Sequence, residues 1–353
     1  MTKKFVHMFP KKSLSLFAAA SLVLVGCGAD EEEGPSIEGA LDGDRPDLTG
    51  HEIVLGTSLA DPLYASLFHS ADLLEEWGAD VELEMLTEVT GLEALVADQI
   101  DVSGRSTDET ATGVDRGESM TGIGAPQTAM PYTLVSESGI DSVADLEGQN
   151  LAISSPGGFD ALLFRYLLQE EGLDPSSDVS QSQIGGSPER TQALLSGEID
   201  AAIIFINGLV QIEQETDELN NVGYIDDLLP DPFHMSIYAS YDDYWEENHE
   251  VAVAFACANL DTNKWINDER EEYIDFVLDI DEGATEEAAE EFYDIAMDIE
   301  LWPTEMDEIL DPQNVDSLVE GMVESEELAQ PMPSEEIIDT AYLEEAAEMG
   351  CGE

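Results

Sequence analysis

Basic residues are almost missing from this chain. Against 80 Asp and Glu it has 11 Lys and Arg, and the formal net charge is −69. Four of those cations, Lys3, Lys4, Lys11 and Lys12, crowd the first twelve positions. Beyond residue 26 there remain Arg45, Arg105, Arg116, Arg165, Arg190, Arg270 and one lysine, Lys264. A surface this acidic repels nucleic acid and anionic headgroups, so no nucleic-acid partner is expected. It would also repel itself in dilute buffer. Salt at 1 M shortens that repulsion to roughly 3 Å, so the composition reads as adaptation to a saline medium. Disorder, the other reading of high charge, needs low hydrophobicity. Here 43% of residues are hydrophobic, in periodic segments along the chain.

Cysteine is equally sparse: Cys27, Cys257 and Cys351. No Cys-x-x-Cys or His-Cys spacing suggests a metal, and no cofactor is expected. Gly-x-Ser-x-Gly is missing, and His51, His69, His234 and His249 show no triad logic or metal spacing. A hydrolase is therefore unsupported. Asp279 to Gly283 resembles the start of a calcium loop, but its sixth position is Ala284 where such a loop needs glycine. It reads as a solvated turn, and the Glu-rich stretch at 285–291 as a solvated helix face.

A long apolar run is missing as well. Leu14 to Val25 is too short to span a bilayer. With the lysines before it and small residues after it, the run describes an export signal over residues 1–26. Its ending, Leu24-Val25-Gly26-Cys27, resembles a bacterial lipoprotein box. That resemblance implies cleavage before Cys27, lipid on its thiol, and an extracytoplasmic protein anchored to the membrane. An ordinary secretory signal with an incidental cysteine is the alternative. Outside the cytoplasm disulfides are permitted. Cys257 and Cys351 can pair there, or Cys257 can stay free on the apolar face of 251–257.

Residues 27–50 are polar, rich in Gly, Asp, Glu and Pro, and read as a flexible tether. The remainder contains an internal duplication. Glu93 to Val102 aligns with Gln192 to Ala201, each the end of an amphipathic helix, a turn and the start of a buried strand. Upstream of the first copy the pattern predicts a strand at 52–57, a helix at 63–77 stopped by Gly78, and a strand at 81–86. Upstream of the second it predicts a strand at 151–154, a helix at 160–171 stopped by Gly172, and a strand at 179–184. Each half is β-α-β-α-β, the pattern of an α/β fold with parallel sheets covered by helices on both faces. Strands at 132–136 and 235–240 are the natural crossings between lobes. Ser142 with Asp145 resembles a capping box. From Trp245 onward the pattern is helical. The expected organisation is lobe I at 51–130 plus 242–353 and lobe II at 131–241 with the crossing strands. Two hinged lobes have an evident use, closing over a small solute.

These segments resemble the extracytoplasmic solute-binding proteins of ABC importers. The nearest group is the nitrate/sulfonate/taurine and thiamine-pyrimidine-precursor group, the NMT1/THI5-like proteins. The resemblance rests on Gly91-Leu92-Glu93-Ala94-Leu95 with Ile100-Asp101-Val102, on Ser142 to Gly148 followed by Leu151-Ala152-Ile153, and on Ala193 to Ala201. Ala254-Phe255 and Lys264-Trp265-Ile266 extend it. It implies the type II periplasmic-binding-protein fold, two doubly wound lobes joined by two crossing strands with a helical C-terminus. It also implies a monomer that delivers a small-molecule solute to an ABC permease and its ATPase. Pyrimidine-synthesising relatives share the fold but need a lysine-bound cofactor and a Cys-rich motif. Only Lys264 could serve as that lysine, and the motif is absent, so an enzyme is not expected. A tethered sensor stays open as an alternative.

In open α/β sheets, solutes bind beyond the carboxyl ends of strands. Four loops qualify. Ser58, Asp61 and Tyr64 follow the first strand; capping by Ser58 or Asp61 is the equal alternative. Arg105 and Ser106 follow the third, where Arg105 suits an anionic ligand or an ion pair with a nearby acid. Ser154, Ser155, Gly157, Gly158 and Phe159 open the second lobe, where consecutive small residues expose N–H groups to an oxyanion; Asp160 as a cap is the alternative. Asn207 follows the last strand of the second lobe. Arg105 and the 154–158 loop favour a sulfonate, carboxylate or nitrate. The aromatics and Asp61 leave room for a pyrimidine or other flat heterocycle.

Overall fold

The computed structural model describes residues 45–57, 60–86 and 89–353, all within one compact unit. The expected signal and Cys27 lie outside the described residues. The tether was expected to run to residue 50, but the packed chain begins earlier. Leu48 is fully buried and its N–H reaches the Trp77 carbonyl at 2.8 Å, while Arg45 pairs with Asp261 at 2.8 Å. One apolar side chain and one ion pair thus dock the segment from Arg45 onward.

The first copy runs β1 (Glu52–Thr57), α1 (Ala65–Glu76), β2 (Asp80–Met85), α2 (Gly91–Val96) and β3 (Val102–Ser106). Helix α3 (Thr107–Asp115) and the short strand β4 (Met120–Gly122) follow. Beyond a crossing comes β5 (Tyr132–Glu137), then the second copy: β6 (Asn150–Ile153), α4 (Phe159–Glu170), β7 (Ser180–Gln183), α5 (Ser187–Leu195) and β8 (Ala201–Phe205). The chain continues through α6 (Ile206–Glu215), β9 (Leu219–Tyr224), α7 (Ile225–Leu228) and β10 (Ser236–Tyr241). The last segment is helical: α8 (Asp242–Glu247), α9 (His249–Asp268), α10 (Arg270–Ile280), α11 (Glu286–Asp298), α12 (Met306–Ile309), α13 (Pro312–Glu324) and α14 (Ala341–Glu348).

Local chemistry explains the boundaries. Gly78 (φ 108°) and Gly172 (φ 77°) follow α1 and α4 in the left-handed conformation that glycine adopts without strain. Thr90 and Glu93 form a reciprocal capping box at α2. The box expected at Ser142 is not formed. Ser142 Oγ donates to the Asp145 carboxylate at 2.7 Å, which leaves no hydroxyl bond to the backbone of a short single turn.

The two five-stranded sheets have the orders β2-β1-β3-β10-β4 and β7-β6-β8-β5-β9. β1 pairs in parallel with β2 and β3, and β6 with β7 and β8. The fourth strand in each sheet is antiparallel and is the first strand after a crossing: β10, which returns from beyond the second sheet, beside β3, and β5 beside β8. The sheets are therefore mixed, with the parallel expectation met by three strands in each. The strand expected at 235–240 was grouped with the second lobe, but β10 pairs with β3 and β4 of the first sheet. Ser236 to Ser240 are buried on both faces, so their alternation carries no sign of which sheet they join.

The crossings are the segments at 123–131 and 225–235, and they touch. Tyr238 N–H donates to the Gly124 carbonyl at 2.8 Å, and Met235 N–H to the Thr128 carbonyl at 3.0 Å. Asp226 Oδ2 accepts the Met130 N–H at 2.9 Å. Helix α9 is buried along most of its length and packs on α1 and α14. Cys257 in α9 is disulfide-bonded to Cys351 beyond α14, with Cα atoms 5.2 Å apart.

Candidate functional site

Beyond the carboxyl end of β1, Asp61 caps a single turn. Its Oδ1 accepts from Leu63 N–H at 3.0 Å and Tyr64 N–H at 3.3 Å. Pro62 sits first in that turn, where its missing N–H costs nothing. Burial pushes the Asp61 carboxyl up to about 7, over the opposing effect of the two N–H groups, and Asp281 adds repulsion. The capping expected of Asp61 is therefore made, and Tyr64 beside it is buried. Ser58 lies outside the described residues.

Beyond β3, Arg105 meets an acid of its own. Its guanidinium pairs with Glu109 on α3 at 3.8 Å. Glu109 also accepts the Leu92 N–H at 3.1 Å, and burial raises its carboxyl to about 7 despite Arg105. Ser106 makes no capping bond to the backbone of α3. Ser106 lies close to the Asp108 carboxyl, whose pKa burial raises. Asp108 Oδ1 is enclosed and has no hydrogen-bond partner among the described residues.

Beyond β6, the loop from Ser154 to Phe159 leads into α4. The Ser154 N–H donates to Asp160 Oδ2 at 2.7 Å, and the Ser154 hydroxyl donates to Asp160 Oδ1. Gly158 N–H closes on the Ser155 carbonyl at 3.0 Å. A side chain at Gly158 would strike Ser154 Oγ at 2.0 Å, whereas Gly157 is exposed with open space around it. The oxyanion expected here meets competition, because the Asp160 carboxylate already takes two of the loop's donors. Asp160 in turn faces Arg190 at 3.7 Å. Arg190 is 3% exposed and its Nε also donates to the Ile203 carbonyl at 3.0 Å.

The two sides meet at Tyr132 and Asn207. Tyr132, first in β5, stacks on Phe205 with centroids 4.4 Å apart and approaches Phe159 at 6.1 Å. It lies within electrostatic range of Tyr64 and Asp108 from the first sheet, and of Asp160 and Arg190 from the second. Burial raises its hydroxyl pKa strongly. Asn207 Nδ2 donates to Asp61 Oδ2 at 3.4 Å, from the first turn of α6 to the loop after β1. Arg165 on α4 holds the Pro156 carbonyl at 2.9 Å and pairs with Glu327 beyond α13.

Two sheets of this order, each carrying an antiparallel strand that follows a crossing, and a junction at their strand ends, match a known protein family. The model of the family described as NMT1/THI5 like matches residues 72–272, more than half of the chain. The chain belongs to the NMT1/THI5-like family. Among curated proteins, none matches it significantly. Solved structures resemble this NMT1/THI5-like chain at low identity. The ligand-binding component of an ABC-type import system from Staphylococcus aureus, with zinc bound, is 14% identical with a TM-score of 0.68, covering 84% of this chain and 99% of that one. The alkanesulfonate-binding protein from Xanthomonas axonopodis pv. citri, bound to MOPS, is 16% identical with a TM-score of 0.63, covering 83% and 99%. The periplasmic aliphatic sulphonate binding protein from Escherichia coli is 18% identical with a TM-score of 0.58, covering 70% and 84%. These likenesses establish the fold, two α/β sheets with a helical C-terminus.

Sequence reasoning missed Asp108, Glu109, Tyr132 and Arg190. Two acids in the first turn of a helix just past a strand end were a legible sign, since the helix dipole favours them there. Arg190 was flagged only as one of few cations. Its burial depends on Asp160 and the Ile203 carbonyl, which no local pattern brings together.

Proposed function

We propose that this chain captures a small solute between its two sheets outside the cytoplasm and delivers it to an ABC import permease and its ATPase, with no chemistry of its own. The observation that carries the reading is the meeting of Asp61 with Asn207, and of Tyr132 with groups from both sheets, at the carboxyl ends of the strands. The paired crossings at 123–131 and 225–235 suit a hinge. Family membership and the import-system and sulfonate-binding roles printed for similar structures support it. In this reading each sheet with its helices is a lobe, and the contacts to solute come from Asp61, Tyr64, Arg105, Ser106, Ser154, Ser155, Gly157, Gly158, Phe159 and Asn207, with Ser58 beside them. Cys27 carries the lipid that keeps the chain beside its permease, after removal of the export signal. The acidic surface suits a salty exterior.

The test is a thermal-shift screen of a solute library on the mature chain in high salt, followed by titration calorimetry of the strongest hit. A dissociation constant of about micromolar or tighter, one site per chain and recovery of unchanged solute are expected. A blank screen, or conversion of the solute, would sink the reading.

A further inference from the structure

Resting on that reading, we infer that α10 and α11 form a strap fixed to the first lobe and pressed against the second, and that the lobes part between α6 and α11. The two sides of the strap differ in kind. Toward the first sheet it is held by directional bonds. The Tyr273 hydroxyl on α10 donates to the Pro62 carbonyl at 2.9 Å, and the Tyr293 hydroxyl on α11 to the Ile266 carbonyl of α9 at 2.9 Å. Just beyond α11, Asn267 Nδ2 donates to the Trp302 carbonyl at 2.9 Å and Asn263 Nδ2 to the Pro303 carbonyl at 2.8 Å. Arg270 ties the two helices together through Glu290 at 3.4 Å and Asp294 at 3.2 Å. Toward the second sheet, α11 lies on α6 through apolar side chains. Ile206 and Val210 of α6 share one buried cluster with Tyr273, Phe292 and Ala296. Half-buried Ile295 packs against the cluster that holds Leu209 and Ile212. The side-chain bond seen between these helices among the described residues is an exposed one, from Gln214 Nε2 to Glu291 Oε2 at 3.1 Å. Glu213 lies close to Glu291, and the two repel.

Parting the first side would leave several buried donors and acceptors unpaired, each at a cost. Parting the second exposes apolar surface, a non-directional loss that scales with area. The α6–α11 contact is therefore the plane along which the lobes separate. Position supports the assignment. Asn207 stands in the first turn of α6 and bonds Asp61, and Asp281 between α10 and α11 lies within electrostatic range of Asp61. The strap thus lies beside the bond that joins the two sheets. On the opposite flank α13 touches both α3 and α4, but it sits against the crossing at 225–235. There the Asn314 carbonyl accepts the His234 N–H at 3.2 Å, and Gly321 leaves room for the Phe233 ring. Helix α13 is thereby placed at the hinge, and the strap holds the lobes shut. The apolar contact between α6 and α11 then sets the balance of closed and open forms, and with it the exchange of solute.

The experiment measures distances between pairs of spin labels by double electron–electron resonance, on the mature chain in high salt and without solute. Labels go on exposed positions: Glu287→Cys on α11, Glu84→Cys on β2 of the first sheet and Gln183→Cys on β7 of the second. Cys27→Ser keeps label off the first residue, and Cys257 and Cys351 are consumed by their disulfide. The 287–84 pair should give one narrow distance, and the 287–183 pair a short distance with a longer minor one. Ile295→Glu places a charge in the apolar contact. It should raise the ratio of long to short 287–183 distances about tenfold or more while leaving 287–84 unchanged. Val210→Ala, a milder change from the α6 side, should move the same pair in the same direction. A second distance in the 287–84 pair overturns the inference, because the strap would then part from the first lobe. A 287–183 distribution unmoved by both variants overturns it too, because the contact would then not hold the lobes. The comparison of the two pairs in the unaltered chain does not depend on either variant folding. Solute binding is not read here, so failure of the strap leaves that reading to the solute screen.

Discussion

Asn207 Nδ2 donates a hydrogen bond to Asp61 Oδ2 at 3.4 Å, from the first turn of α6 to the capped turn after β1. The bond spans the two sheets. Asn207→Ala removes it and leaves Asp61 with its two backbone donors. A hydrogen bond of this kind contributes about 0.5–1.5 kcal/mol. The variant should therefore bind the best hit of a solute screen about two- to tenfold more weakly, with its unliganded melting temperature little changed. Calorimetry and thermal melts check both.

Asp61, Glu109 and Asp226 each have carboxyls raised to about 7 by burial. An acid whose folded pKa exceeds its unfolded value binds more protons when folded, so its contribution to stability falls as pH rises between the two values. For Asp226 that window runs from about 4 to about 7. Asp226→Asn keeps an acceptor for Met130 N–H but cannot ionise. Its stability relative to the unaltered protein should rise steadily across the window and level off above it. Urea unfolding at a series of pH values reads the difference.

Arg190 is buried with Asp160 and holds the Ile203 carbonyl. Arg190→Ala leaves a carboxylate buried without its cation, which typically costs about 3–5 kcal/mol. The loss should be smaller when Asp160→Asn is added, and a double-mutant cycle in denaturant measures the coupling.

The Cys257–Cys351 disulfide closes a loop of 94 residues and ties the end of the chain to α9. Replacing both cysteines by serine should cost about 2–5 kcal/mol. Reductant should lower the melting temperature of the unaltered protein and leave the double variant unmoved.

With a net charge of −69, the folded chain should lose stability steeply as salt is removed. Melting temperature should climb through the molar range, where the screening length approaches roughly 3 Å. A flat salt profile would contradict the saline reading of the composition.

Much of the fold was legible because its signals are local. Gly78 and Gly172 end α1 and α4 in positive φ, and the two aligned segments mark α2–β3 and α5–β8. The partner of β10 was not legible, because a strand buried on both faces shows no alternation to assign it. Arg105 was expected to meet an anionic ligand or an ion pair with a nearby acid; it pairs with Glu109, four residues on, across a strand-to-helix turn that composition does not reveal. The 154–158 loop was recognised as a cluster of backbone donors, yet Asp160, weighed as a cap, takes one of them, the Ser154 N–H, together with the Ser154 hydroxyl. Asp108 went unnoticed because an unpartnered oxygen exists only once its surroundings are packed.

The most direct test of the account is titration calorimetry of the mature chain in high salt with the strongest hit from the solute screen, repeated on Asn207→Ala. The account predicts one site per chain, unchanged solute recovered afterwards, and weaker binding in the variant. No binding, turnover of the solute, or an affinity indifferent to Asn207 would contradict it.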